Sequence, residues 1–185
     1  MLERSWNDLK YKLIGNNDTK NIIKTILINR GITNPEQYIN LSEDSACDWQ
    51  NLDNINDAVE CFANHFENKN SITILVDCDP DGYSSAAMMY QYIKLMDDNY
   101  PVHYMIHRKP KSHGLADNDY DIPDDTKLLI VPDAGTNDCE KCNELIDSGL
   151  DIIILDHHLQ DKFGSKAIIV NNQTSDNYSN KDFCG

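Results

Sequence analysis

The chain has 185 residues, 40% of them hydrophobic and 25% charged, the balance of a soluble globular protein with a sizeable core. Eight glycines and six prolines exclude collagen-like and low-complexity classes, and no apolar run reaches the roughly 18 residues a membrane-spanning helix needs. The net charge of -15, from 31 Asp+Glu against 16 Lys+Arg, excludes a sequence-independent DNA coat, because such binding runs on Lys and Arg neutralising phosphates. It does not exclude a nucleic-acid enzyme, since divalent cations reverse the local sign around clustered carboxylates. The first residues, MLERSWNDLKYKL, put charges where a secretion signal has its apolar centre, so the expected location is cytoplasmic.

Residues 1–70 are predicted to form a mostly helical lead-in. Asn21 to Ile28 carries apolar side chains at helical spacing and stops at Arg30-Gly31, and Asn34-Pro35 looks like an N-cap followed by proline. Leu52, Ile55, Ala58, Val59, Phe62, Ala63 and Phe66 share one face of a helix ending near Asn68. The texture changes at Ser71. Ile72-Thr73-Ile74-Leu75-Val76 reads as a strand buried on both faces, Asp77 to Ser84 as a polar turn, and Ala86 to Met96 as a helix. Further strands are predicted at Val102 to Ile106, Leu128 to Val131, Ile152 to Leu155 and Ala167 to Val170, with a helix over Cys139 to Ser148. Solidly apolar strands alternating with helices give an α/β fold: a mainly parallel sheet flanked by helices, occupying residues 71–185.

The strands end alike. Val76 is followed by Asp77-Cys78-Asp79-Pro80-Asp81-Gly82, Val131-Pro132 by Asp133-Ala134-Gly135, and Leu155 by Asp156-His157-His158. In an open parallel sheet the carboxyl ends of neighbouring strands converge on one crevice. One carboxylate after a strand reads as the cap of the next helix; three such ends joined by a histidine pair read as a cluster that cations must hold together. Asp and His donors suit Mn²⁺ or Mg²⁺, and a pair of such ions is the usual device for in-line attack on a phosphodiester. The Asp-x-Asp-x-Asp-Gly run is no EF-hand loop, because Met88 stands at its twelfth position where Glu is required. Of the six cysteines only Cys139 and Cys142 have ligand spacing, and without a second pair they are predicted to be reduced thiols on a helix. His65 and His103 fall on a helix and a strand away from the strand ends and are given no role.

In order and spacing these motifs resemble the DHH superfamily of phosphoesterases in the form found in RecJ proteins. Asp77 to Ser85 resembles the first motif, Asp133-Ala134-Gly135 the second, and Asp156-His157-His158 the motif that names the superfamily. Arg30-Gly31-Ile32 and residues 51–66 resemble the RecJ helical lead-in, Arg108 through His113-Gly114-Leu115 its basic loop, and Val170-Asn171 onward to Cys184-Gly185 the run into its Cys-Gly turn. The resemblance implies a 5′→3′ exonuclease specific for single-stranded DNA, acting in repair, recombination or replication with Mn²⁺ or Mg²⁺ as a pair of ions. By position, Asp77, Asp79, Asp81, Asp133 and His157 would hold the metals. His158 would contact the scissile phosphate or assist the leaving group, and Asp156 would orient the imidazoles. Arg108, Lys109, Lys111 and His113 are the candidate phosphate contacts. Single-stranded DNA is the implied partner, with room for a single-strand-binding protein or helicase.

The chain departs from the pattern in two ways. RecJ proteins supply a further metal-binding Asp some tens of residues beyond the DHH motif, and they continue into a DHH-associated domain and an OB-fold. Neither has a counterpart in the 185 residues, which reads as a truncation at the C-terminus and predicts weak activity. Two rivals remain. One is a DHH-type phosphodiesterase for cyclic dinucleotides or short oligonucleotides, which usually begins its first motif with a His absent here. The other is a non-catalytic RecJ-like scaffold.

Overall fold

Each apolar run predicted as a strand is one, and the five pair in parallel in the order β2-β1-β3-β4-β5. The computed structural model describes residues 19–40, 49–109, 111–117, 120–178 and 181. The Cys184-Gly185 turn and Cys47 lie outside them. Two compact units are present, Met1–Cys47 and Asp48–Gly185. The first contains α1 (Thr19–Asn29) and α2 (Pro35–Ile39), joined through Gly31 at φ 89° and a Lys24–Glu36 ion pair. In the second, a 3-10 turn (Trp49–Asn51) and α3 (Ile55–Glu67) precede the alternating core: β1 (Ser71–Val76), α4 (Pro80–Met96), β2 (Val102–Ile106), β3 (Thr126–Pro132), α5 (Cys139–Asp147), β4 (Asp151–Asp156) and β5 (Ile168–Asn171).

The strands lack hydrophobic alternation because both faces of the sheet are covered. Ile72, Ile74, Leu128, Ile130 and Ile153 point to the face that carries α3 and α4. Leu75, Leu129, Val131, Ile152 and Ile154 point to the face covered by α5 and the chain between β2 and β3. Burying side chains of this size contributes about 1.5–3 kcal/mol each. Tyr100 closes one edge of this core: its ring stacks on Phe66 at 4.6 Å, and its hydroxyl lies 3.0 and 2.7 Å from the carbonyls of His65 and Asn70. Cys139 and Cys142 are buried free thiols on α5, as expected. No helix among the described residues is long and apolar enough to cross a membrane.

One expected element is corrected. The stretch predicted as a polar turn up to Ser84 is helical from Pro80 onward. Proline at the first helical position lacks only an N–H that the helix would leave unpaired. Asp79 caps the end, its side chain accepting from the Gly82 N–H at 3.0 Å. A Pro-Asp-Gly run reads as a turn in isolation, but here it is a helix start.

Strand order explains where the site falls. From β1 the chain moves outward to β2, returns to β3 beside β1, and continues the other way to β4 and β5. The crevice at the carboxyl ends of β1 and β3 is therefore the point where ligands bind in such sheets. Helix α4 starts hard against it: a Cβ on Gly82 would lie 2.6 Å from the Cβ of Asp77. Gly82→Ala is expected to push α4 and Asp77 apart and to cost on the order of 1–3 kcal/mol, as overpacking of a tight contact does. Urea denaturation of the two proteins measures it, and an unchanged midpoint would mean the contact relaxes freely.

Candidate metal centre

Each strand end delivers its motif in a different way. Asp77 leaves β1 buried, and its carboxylate is already occupied: Oδ2 lies 2.9 Å from His113 Nδ1, and Oδ1 accepts from the Gly114 N–H at 3.1 Å. This pairing draws the loop after β2 into the crevice. Asp138 holds the same loop from the other side by accepting the Leu115 N–H at 2.6 Å.

Asp133 follows Pro132 at the end of β3, with its own N–H donated to the Leu155 carbonyl at 2.7 Å. It adopts φ 68°, a left-handed conformation that Asp tolerates better than most residues, and Gly135 completes the turn at φ 104°. The Asp133 side chain is 0% exposed, and neither carboxylate oxygen has a hydrogen-bond partner among the described residues. His157 Nε2 stands 3.0 Å from Oδ1, close enough to share an ion but without the alignment of a hydrogen bond. Burial first, then the charges of Asp81 and Asp79, push the Asp133 pKa up from 3.8 to about 7.

Asp156 ends β4 in the opposite condition. Its Oδ1 accepts from the backbone N–H groups of His157 (2.7 Å) and His158 (3.1 Å) and pairs with His158 Nδ1 at 2.7 Å; its Oδ2 accepts from the Thr136 N–H at 2.9 Å. Burial works against its charge, but the hydrogen bonds from Thr136 and His158 outweigh it and lower its pKa. For His158, burial disfavours the charged ring, while the bond to Asp156 and the nearby charges of Asp133 and Asp77 carry its pKa upward. The Gly82 N–H, followed by hydrogen bonding with Asp81, keeps the Asp79 pKa low.

At this end of the sheet the potential ligand atoms gather in three overlapping groups, of which one is Asp77, Cys78 and His113 and the other two share Asp133. Asp77, Asp79 and Asp133 offer atoms within 4.8 Å of one another, and so do Asp133, His157 and His158. Asp81 flanks the latter group, 3.9 Å from His157 Nε2. A polar cleft of about 350 Å³ opens beside them, lined by His113, Gly114, Thr136, Asn137 and Asp138 among others. Around Asp133 the donors are oxygen and imidazole nitrogen, which suit a hard or borderline divalent cation; the Cys78 sulfur stands 3.3 Å from His113 Nε2 beside Asp77. Unpartnered, buried Asp133 oxygens among further carboxylates are what such a cation would satisfy.

Seven of the expected residues thus meet in one place: Asp77, Asp79, Asp81, Asp133, Asp156, His157 and His158. His113 joins them through Asp77. Arg108, Lys109 and Lys111 lie on the exposed loop leaving β2 at the same end of the sheet, outside these groups of potential ligands; Arg108 pairs with Asp121. Two supporting residues escaped sequence reading. Thr136 donates to Asp156, and Asn171 at the end of β5 donates both to the Thr136 hydroxyl and to the His158 carbonyl, each at 2.9 Å. A fourth strand ending in a polar residue, Asn171, was the available signal.

With the fold and these motifs in place, the chain belongs to the DHH family: the family's N-terminal domain matches residues 71–184. Among its relatives, YorK of Bacillus subtilis (strain 168), named as an SPbeta prophage-derived single-strand DNA-specific exonuclease, is 40% identical over 178 residues. That match covers 96% of this chain and 30% of YorK. The single-stranded-DNA-specific exonuclease RecJ of Escherichia coli (strain K12) is 23% identical over 168 residues, covering 89% of this chain and 29% of that protein. The fold matches the crystal structure of RecJ in complex with Mn²⁺ from Thermus thermophilus, with a TM-score of 0.61 at 18% identity over 84% of this chain and 22% of that one. The chain therefore spans less than a third of the length of these curated relatives.

The raised Asp133 pKa sets an expectation for the metal-free protein. In the unfolded chain this carboxyl ionises near 3.8; in the fold it does so near 7. Below about pH 4 it is neutral in both states and costs nothing. As the pH rises between those two values the fold loses stability, by at most about 1.4 kcal/mol for each tenfold fall in proton concentration, and the loss levels off above pH 7. Asp133→Asn is expected to be the more stable protein in EDTA at pH 8, to show a flatter pH profile, and to lose the rise in Tm that Mn²⁺ gives the wild type. Thermal denaturation at pH 5 and pH 8, with EDTA or Mn²⁺, checks all three.

Proposed function

We propose that this crevice is a metal-dependent phosphodiester-hydrolysing centre that acts on single-stranded DNA from the 5′ end, as part of a RecJ-like exonuclease. The observation that carries the reading is Asp133: a fully buried carboxylate without a hydrogen-bond partner among the described residues, shared by two groups of potential ligands. Divalent cations bound there, Mn²⁺ in the first instance, would supply a nucleophile from water at neutral pH and neutralise charge developing on phosphate oxygens. Asp79, Asp81, Asp133 and His157 are assigned to hold them, with Asp77 contributing through whichever oxygen the loop releases.

The remaining roles follow from the hydrogen bonds. Asp156 fixes the His158 ring by Nδ1, which leaves Nε2 to face the phosphate or carry a proton to the leaving oxygen. Asp156 itself is saturated by its donors and is a positioning residue. Asp77 holds His113 at the rim of the cleft, where a phosphate or the terminal nucleotide would pass. Arg108, Lys109 and Lys111 are assigned to the strand beyond the scissile bond, where contacts set position rather than chemistry. Single-stranded DNA as substrate and the polarity rest on the likeness to RecJ and YorK. A role in DNA repair or recombination, a cytoplasmic location and a single-strand-binding protein or helicase partner belong to the same proposal.

The test is a gel assay with single-stranded and duplex DNA labelled at either end, with Mn²⁺ and with EDTA. Metal-dependent release from the 5′ ends of single strands is expected, reduced at least 100-fold by Asp133→Ala or His157→Ala. Because the relatives are three times as long, the same assay is run on YorK and its two equivalent variants. Turnover of cyclic or very short dinucleotides in place of DNA would move the assignment to the rival phosphodiesterases. No turnover of any of these by either protein would leave the scaffold reading.

A further inference from the structure

The far end of the sheet carries another group of ligand atoms. Cys61 and His65 are one helical turn apart on α3, four residues being the spacing that brings side chains onto one face. Asp151, the first residue of β4, meets them there. His65 Nε2 lies 2.8 Å from Asp151 Oδ2, and the Cys61 sulfur, the imidazole and the carboxylate offer atoms that all lie within 4.8 Å of one another. We propose that Cys61, His65 and Asp151 form a binding site for zinc, separate from the nuclease centre.

The geometry is of the right size. Bonds of about 2.0–2.3 Å in a tetrahedron place donor atoms roughly 3.3–3.6 Å apart, so the three need only small side-chain adjustments. The central ligand is already fixed. The His65 side chain is 6% exposed, its carbonyl accepts from the Asn70 N–H and the Tyr100 hydroxyl, both at 3.0 Å, and its Nδ1 lies 3.1 Å from the Asn70 amide. Turning that amide over presents its oxygen to Nδ1–H, the outer partner that a metal-bound imidazole usually has and that leaves Nε2 free to coordinate. Asp151 is 63% exposed and Cys61 half-buried, so an ion has a route in and a water can take the fourth position.

The donor types separate this site from the first. A thiolate selects zinc over Mn²⁺ and Mg²⁺, whereas the two Asp133 groups in the crevice offer oxygen and imidazole; the Cys78 thiol, beside Asp77 and His113 in that crevice, is the competing cobalt ligand that the test separates. Asp151 and Asp156 begin and end β4. Five steps of about 3.3 Å put the two ends roughly 17 Å apart. A simple hydrogen bond between His65 and Asp151 would tie α3 to β4 without a thiol beside it; the cysteine is what turns a tie into a site. Bound zinc would lock the last turn of α3 onto the start of β4 and stabilise the fold by mass action.

Cobalt(II) is the probe, because a cysteine thiolate bound to it gives an intense near-ultraviolet charge-transfer band. Titrated into the 185-residue protein in the presence of excess Mg²⁺, it is expected to show that band at one ion per chain, displaced by Zn²⁺. Cys61→Ser should abolish the band, Asp151→Asn should weaken Zn²⁺ binding at least tenfold, and Cys78→Ser should leave the band intact. Circular dichroism and a retained Mn²⁺-dependent rise in Tm show that the variants fold. A band that is absent, or that survives Cys61→Ser and disappears in Cys78→Ser, overturns the proposal. Neither result bears on the nuclease reading, whose residues are unchanged in Cys61→Ser.

Discussion

The carboxyl end of the sheet is organised around one buried charge. Asp133 has no exposed surface and, among the described residues, no donor, and Asp79 and Asp81 crowd the same space. A carboxylate in that position has two ways to exist: it takes up a proton, or a cation takes the place of its missing donors. Asp156 sits at the same place on the neighbouring strand, yet its oxygens are saturated by Thr136, His157 and His158. Two residues of one type, a strand apart, are thus driven in opposite directions: Asp133 toward a proton or a cation, Asp156 toward a stable charge.

Much of this was legible in the sequence because parallel strands buried on both faces cannot hide. All five strands were found, with ends shifted by one or two residues, and Val102–Ile106 was placed without error. The site's core was legible for the same reason: when strands are located and assumed parallel, the residues after them share an end. What failed was local chemistry with more than one meaning. Asp79-Pro80-Asp81-Gly82 suits a turn as well as a helix cap, and the close approach of Gly82 to Asp77 decides between them only in three dimensions. The partners of the basic loop were equally invisible. Nothing in the spacing says that Arg108 meets Asp121, that His113 meets Asp77, or that Asp138 takes the Leu115 N–H. Asn171 belongs with these, since its two donors serve a threonine and a carbonyl from two other loops.

The excess of acids also acquires a physical reading. Arg108, the most obvious phosphate contact, is paired with an aspartate, and Lys69, Lys141 and Lys166 pair with carboxylates on helices and loops away from the crevice. A polyanion approaching this end of the sheet meets a cluster of carboxylates around Asp133, and the arginine nearest to it is already engaged. On the proposed reading, bound cations would act twice over, letting the carboxylates coexist and reversing the sign that a phosphate sees. Exposed pairs such as Arg108–Asp121 contribute little stability and exchange partners readily.

Strand β4 connects these features mechanically. Ile152, Ile153 and Ile154 between its ends are buried, facing the two sides of the sheet in turn, and the strand is hydrogen bonded to β3 on one side and β5 on the other. The two ends of β4 share no partner, so a change at Asp151 is expected to leave the hydrogen bonds of Asp156 as they are. The Asp151–His65 contact and the Asp156–His158 contact should therefore behave as independent elements whose energetic effects add, as separated sites with no shared partner do. Under the two proposals, one end of a single six-residue strand would serve chemistry and the other stability.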